Sequence, residues 1–157
     1  MLEIGSIYYG LFTLNEFETK NKYLIVFHLY EDTCLLTTFT TSQERSGNLN
    51  PVHGHNPQVR PYKSHVFKQG VEIGIEPDTL ARFAFPKDTA VVPDYGFAKK
   101  TTNDILSSVK NLKKVCQLDK SQFIELMYTL LHSKGTPKGV KEIFETKLEE
   151  LMSGDQE

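Results

Sequence analysis

Residues 22–42 read KYLIVFHLYEDTCLLTTFTTS, two runs rich in β-branched and aromatic residues separated by the turn-prone Glu31, Asp32 and Thr33. Extended chain accommodates such side chains well, and a short polar break between two such runs predicts a β-hairpin. Most of residues 24–29 is apolar on both alternating faces. A strand of that kind is covered on both sides or lies in a small closed barrel. The second run closes on Thr40, Thr41 and Ser42 and passes into a long polar stretch, residues 43–68.

Upstream, residues 4–14 (IGSIYYGLFTL) alternate imperfectly and carry Gly5 and Gly10, which predicts a curved or bulged first strand. Residues 15–21 are polar and read as a loop. Downstream, residues 43–68 hold His53, His55 and His65, several prolines and glycines and no periodicity. A loop of this length in a small domain usually has a function. Strand signals return in SHVFKQGVEIG from Ser64, with a turn at Gln69 and Gly70, and again on either side of Pro86-Lys87-Asp88. Short strands joined by tight turns predict a small barrel over residues 1–97.

The pattern changes after Phe97. Ile105, Leu106, Val109, Leu112 and Cys116 fall on one helical stripe, which predicts a helix over 103–116. A second helix is expected over 119–133, with Asp119 as N-cap. A third is expected with Thr136 as its cap and Pro137 at its first position, ending near Gly154. The expectation is therefore an α+β fold: a small β-barrel over 1–97 followed by about three α-helices over 98–157, in a single domain.

Bulk properties narrow the function. A net charge of −2 and a pI near 6.2 argue against coating nucleic acid through overall charge, while leaving room for a local basic patch. No window approaches the length of an apolar membrane span, and Met-Leu-Glu-Ile lacks the basic start of a secretory signal, so no membrane partner and a cytoplasmic location are expected. Cys34 and Cys116 read as buried thiols. P-loop, GxGxxG, GxSxG, HExxH and CxxC motifs are all absent.

Two chemistries compete for the 43–68 stretch. Its histidines could converge on zinc, although their spacing matches no metal motif. Alternatively, Arg45, Arg60, Lys63 and Lys68, opposed by Glu44 alone, could meet phosphates while Tyr62 stacks a base, the usual way of holding single-stranded RNA.

The order Gly5-x-Ile7 on a first strand, a basic residue opening KYLIVF, and CLLTTFTTS closing on Thr41-Ser42 resembles the MazF/PemK-type toxins. These are endoribonucleases with an SH3-like barrel, usually dimeric and neutralised by an antitoxin. In that family an Arg-Pro pair opens the strand, and Lys22-Tyr23 stands in its place here. Lysine lacks the planar fork of arginine but still neutralises phosphate charge. The resemblance implies a metal-independent cleavage by the RNA 2′-hydroxyl, with no cofactor. Thr41 and Ser42 would bind the phosphate, Lys22 or Arg45 would stabilise the transition state, and His65 or His53 would act as base or acid. Implied partners are single-stranded RNA, an antitoxin or other protein, and a second copy of the chain. The competing expectation is a non-catalytic SH3-like barrel that acts as a protein-interaction module.

Overall fold

A computed structural model describes residues 2–31, 34–42, 50–57, 61–93 and 97–154. The two apolar runs pair as the expected hairpin. Strand β2 (Glu18–Leu29) lies antiparallel to β3 (Cys34–Phe39), with Leu24 opposite Phe39 and Leu29 opposite Leu35. The first strand, β1 (Ser6–Asn15), flanks β2 with Ile7 opposite Ile25 and Thr13 opposite Thr19. Its entry turns at Gly5, whose φ of +78° places it where a side chain would be strained.

The covering of β2 on both faces is as expected. Ile25 and Phe27 enter one core, which also takes Ile7, Leu36, Phe67, Phe85 and Cys116. Leu24 and Val26 enter a second core with Tyr8, Phe12, Leu35 and Ile105 on the other face. Strand alternation puts successive side chains on opposite faces, so this one segment anchors both.

Three short strands come next: β4 (His65–Phe67), β5 (Gly74–Ile75) and β6 (Arg82–Phe83). After them come β7 (Thr89–Val91), β8 (Ala98–Thr101) and the six-residue helix α1 (Thr102–Ser107). Strand β9 (Val109–Leu118) leads into α2 (Lys120–Leu131) and α3 (Lys138–Gly154). Seven strands form one sheet in the order β6-β5-β9-β1-β2-β3-β8, and β4 pairs with β7 in a separate ladder. The fold is α+β. Neither sheet closes among the described residues, so the structure describes an open sheet with a second ladder rather than the closed SH3-like barrel that the strand pattern led us to expect.

The expected helix over 103–116 is a correction. Only its first turns are helical, and residues 109–118 form a strand between β1 and β5. Asn111 has a φ of +57°, and the register with β1 shifts between Tyr9 and Leu11 and again between Ile7 and Tyr8. Each shift adds residues to β9 and breaks the two-residue alternation, which leaves a spacing that imitates a helical stripe. The β part therefore runs past residue 97.

Helices α2 and α3 cover the first core. Phe123, Leu126, Met127 and Leu130 of α2 and Val140, Phe144 and Leu148 of α3 are all buried there. Asp119 stands at the N-cap of α2 as expected, but its side chain makes no cap hydrogen bond. Its carboxylate instead takes both arms of Arg82, with Nη1 to Oδ1 at 2.9 Å, tying β6 to the helix start. Both cysteines are free, and burial pushes the Cys116 thiol up to about 12.

The approach of β5 to β9 tests this register. A Cβ on Gly74 would collide with the Gln117 carbonyl oxygen and with Cys116 Sγ. Gly74→Ala should destabilise by about 3 kcal/mol in urea unfolding. Gly139→Ala, where nothing lies within 4 Å, should be neutral or stabilise by up to about 1 kcal/mol. Equal stabilities for the two variants would contradict the placement of β9.

Candidate functional site

The two polar ends of the central hairpin meet. The amide of Thr40 donates to the carbonyl of Tyr23 at 3.0 Å, which brings the start of the apolar part of β2 beside the end of β3. The chain then crosses to the small ladder: Thr41 N donates to Ala90 O at 2.8 Å, and Ala90 N donates to Thr41 O at 2.7 Å. This bridge carries β7 and the turn before it to the hairpin end. The result is an open cleft of about 180 Å³ with Lys22, Tyr23, Thr40, Thr41 and Ser42 on one side and Lys87 and Thr89 on the other, completed by Tyr9 and Asn21.

Each wall is held by identifiable contacts. Tyr9 and Tyr23 sit opposite one another on β1 and β2, with ring centroids 4.5 Å apart. Phe85 meets Tyr23 edge-on at 4.8 Å. Burial, with Tyr9 second, raises the Tyr23 phenol above its ordinary value, so it stays a neutral hydroxyl. The turn bearing Lys87 is fixed by Asp88, which accepts from Lys68 Nζ at 2.7 Å and from the amide of Gln69 at 2.8 Å. The Lys68 contact, with that amide, holds the Asp88 carboxyl below the usual range. Thr40 and Thr41 are almost fully buried, and the Thr40 hydroxyl has no hydrogen-bond partner among the described residues.

The histidines lie elsewhere. His65, in β4, is completely buried. Its Nδ1 is 2.9 Å from Thr129 Oγ1, and that hydroxyl donates its own proton to Glu125 O at 2.9 Å. Thr129 must therefore accept from the imidazole, which places the ring proton on Nδ1 and leaves Nε2 bare. Nε2 has no hydrogen-bond partner among the described residues. Burial, followed by the nearby His53 and His55, pushes this imidazole down to about 3. His53 has both nitrogens engaged: Nε2 with Gln122 Oε1 at 2.9 Å, and Nδ1 accepting from Lys68 N at 3.1 Å.

The three histidines of the 43–68 stretch thus contact α2, through Gln122, Tyr128 and Thr129, while Val52 and Lys63 stay exposed. Tyr62 is buried with its ring centroid 4.9 Å from that of His55, which leaves no open face for a base. Lys63 is exposed but does not line the cleft. Arg45 and Arg60 lie outside the described residues. Among the described residues no group of three or more histidine, cysteine or acidic side chains is placed to hold a metal ion, so His53, His55 and His65 do not form the zinc site their number had raised.

Of the residues singled out from the sequence, the fold brings Lys22, Thr41 and Ser42 together and leaves His53, Tyr62, Lys63 and His65 outside their cleft. Tyr9, Asn21, Lys87 and Thr89 were not foreseen. Tyr9 could have been found by pairing the first strand with the second, whereas Lys87 and Thr89 arrive through a bridge with no local signature. No helix among the described residues is long and apolar enough to cross a membrane. Comparison of the chain with protein-family models, curated proteins and solved structures finds no match. The MazF/PemK-type resemblance rests on Gly5-x-Ile7, the lysine that opens KYLIVF and the run that closes on Thr41-Ser42.

The buried imidazole makes stability depend on pH. With its folded-state pKa lowered from 6.5 to about 3, the unfolded chain takes up the proton first. The contribution is whole above pH 6.5 and is lost as the pH falls towards 3. Unfolding free energy should drop by about 2 kcal/mol between neutrality and about pH 5, and His65→Gln should flatten that slope in urea titrations at the two pH values. An unchanged slope in the variant would place the acid sensitivity elsewhere.

Proposed function

We propose that the protein binds single-stranded RNA through the cleft at the hairpin end. The observation that carries this reading is one cleft lined by two lysines, Lys22 and Lys87, and by the hydroxyl-bearing Thr40, Thr41 and Ser42, beside the paired rings of Tyr9 and Tyr23. Lysines and hydroxyls suit a phosphate, and an aromatic pair next to them offers a surface on which a base stacks. The MazF/PemK-type resemblance supports the same site, since its strand-opening basic residue and its Thr-Ser pair are among these residues.

Binding is better supported than cleavage. Attack by a 2′-hydroxyl needs a proton acceptor within reach. Among the described lining residues there is no imidazole and no carboxylate. A protein-interaction role is the second reading, favoured by the tip of the β1–β2 hairpin, where Phe17 is 93% exposed.

Fluorescence anisotropy with a labelled mixed-sequence RNA tests the proposal. Lys22→Ala and Lys87→Ala should each weaken binding and lower the slope of log affinity against log salt by about 0.7. Tyr9→Ala should cost about 1–3 kcal/mol. Lys134→Ala, an exposed lysine outside the cleft, should change little. Equal affinity for all of these variants would overturn the site. Incubation in EDTA separates the activities: intact RNA indicates binding alone, and cleavage adds the metal-independent endoribonuclease activity that the resemblance implies.

A further inference from the structure

A second cleft, sharing no lining residue with the first, opens on the face of the sheet that carries Leu24 and Val26. Its volume is about 150 Å³, the size of a cavity that accepts a benzene ring. Phe12, Leu24 and Phe39 form its walls and Ile105 of α1 closes one side. The Phe12 and Phe39 rings meet edge-on at 4.9 Å, so their faces and edges are already set for a third ring.

Four polar residues, Thr37, Thr38, Lys100 and Ser108, break this apolar lining, and the first and third of them matter most. Thr37 is 2% exposed, and its hydroxyl has no hydrogen-bond partner among the described residues. It pairs with Val26 across the sheet, and Val26 belongs to the core on this face, so the threonine side chain points to the cleft's side of the sheet. Lys100, on β8, lines the cleft and is exposed, with no ion pair among the described residues. It pairs with Leu35, another member of the same core, two residues from the pairing of Ala98 with Thr37. Alternation therefore sets the lysine and the threonine on one face.

We propose that this cleft binds a small aromatic carboxylate, with the ring packed against the Phe12–Phe39 pair and the carboxylate accepting from Thr37 and Lys100. A ring matches the walls, and an acceptor pairs with the Thr37 hydroxyl. The ammonium selects an anion over a neutral or cationic head. The proposal does not depend on RNA binding, because the two clefts are built from different residues.

Benzoate is the probe, followed by amide chemical shifts of the full chain, with benzyl alcohol and benzylamine as neutral and cationic counterparts. Benzoate should produce saturable shifts centred on Thr37, Phe39, Ala98 and Lys100. Benzyl alcohol should bind about tenfold more weakly, and benzylamine not at all at about 1 mM. Lys100→Gln, an exposed change, should reduce benzoate affinity to that of the alcohol, and Thr37→Val should weaken it while leaving the remaining spectrum folded. Benzoate that fails to saturate, benzylamine that binds as tightly as benzoate, or unchanged benzoate affinity in Lys100→Gln would each overturn the proposal.

Discussion

Burial of residues 24–27 on both faces is the constraint from which the rest of the structure follows. Ile25 and Phe27 need cover on one side, Leu24 and Val26 on the other, and all four are at most 3% exposed. Phe27 shows how the first demand is met. Its ring packs against those of Phe97, Phe123 and Phe144 at centroid distances of 5.8, 6.3 and 5.3 Å, joining β2 to the segment before β8 and to both long helices. Burying one such ring contributes roughly 1.5–3 kcal/mol before the aromatic contacts are added. The other face recruits Ile105 of α1 and residues at the chain's start, including Leu2.

What could be read from the sequence divides along the same line. The hairpin was legible because its two runs and the break between them lie within 21 consecutive residues, residues 22–42. Helices α2 and α3 were legible because their apolar spacing is undisturbed and Gly135 and Pro137 punctuate the gap between them. Strand β9 was not, since the left-handed residue Asn111 and the register shifts around it remove the alternation that marks a strand. Closure into a barrel was inferred from the count of short strands, but count does not determine which strands pair. Among the described residues β4 and β7 pair with each other in a ladder of their own and do not join the large sheet.

The cleft was half legible for a related reason. Lys22 and Thr41-Ser42 mark the ends of a hairpin, and antiparallel pairing obliges such ends to meet. Lys87 and Thr89 belong to a distant turn, and only tertiary structure places them opposite. The packing of the histidines was not legible, because imidazoles in a Pro- and Gly-containing stretch resemble exposed functional groups. The flanking Val66 and Phe67 were a countersignal: His65 opens an apolar three-residue strand, and its ring is held in the core by Thr129.

The bridge between Thr41 and Ala90 gives the cleft a seam. One wall belongs to the large sheet and the other to the small ladder, and backbone hydrogen bonding between them passes, among the described residues, through this reciprocal pair. Phe67 and Val91 of the ladder share one core with Ile25 and Phe27 of the large sheet, so the walls part only if that common core opens together with the two hydrogen bonds. The exchange rates of the Thr41 and Ala90 amide protons therefore gauge the firmness of the core beneath the cleft as well as that of the seam.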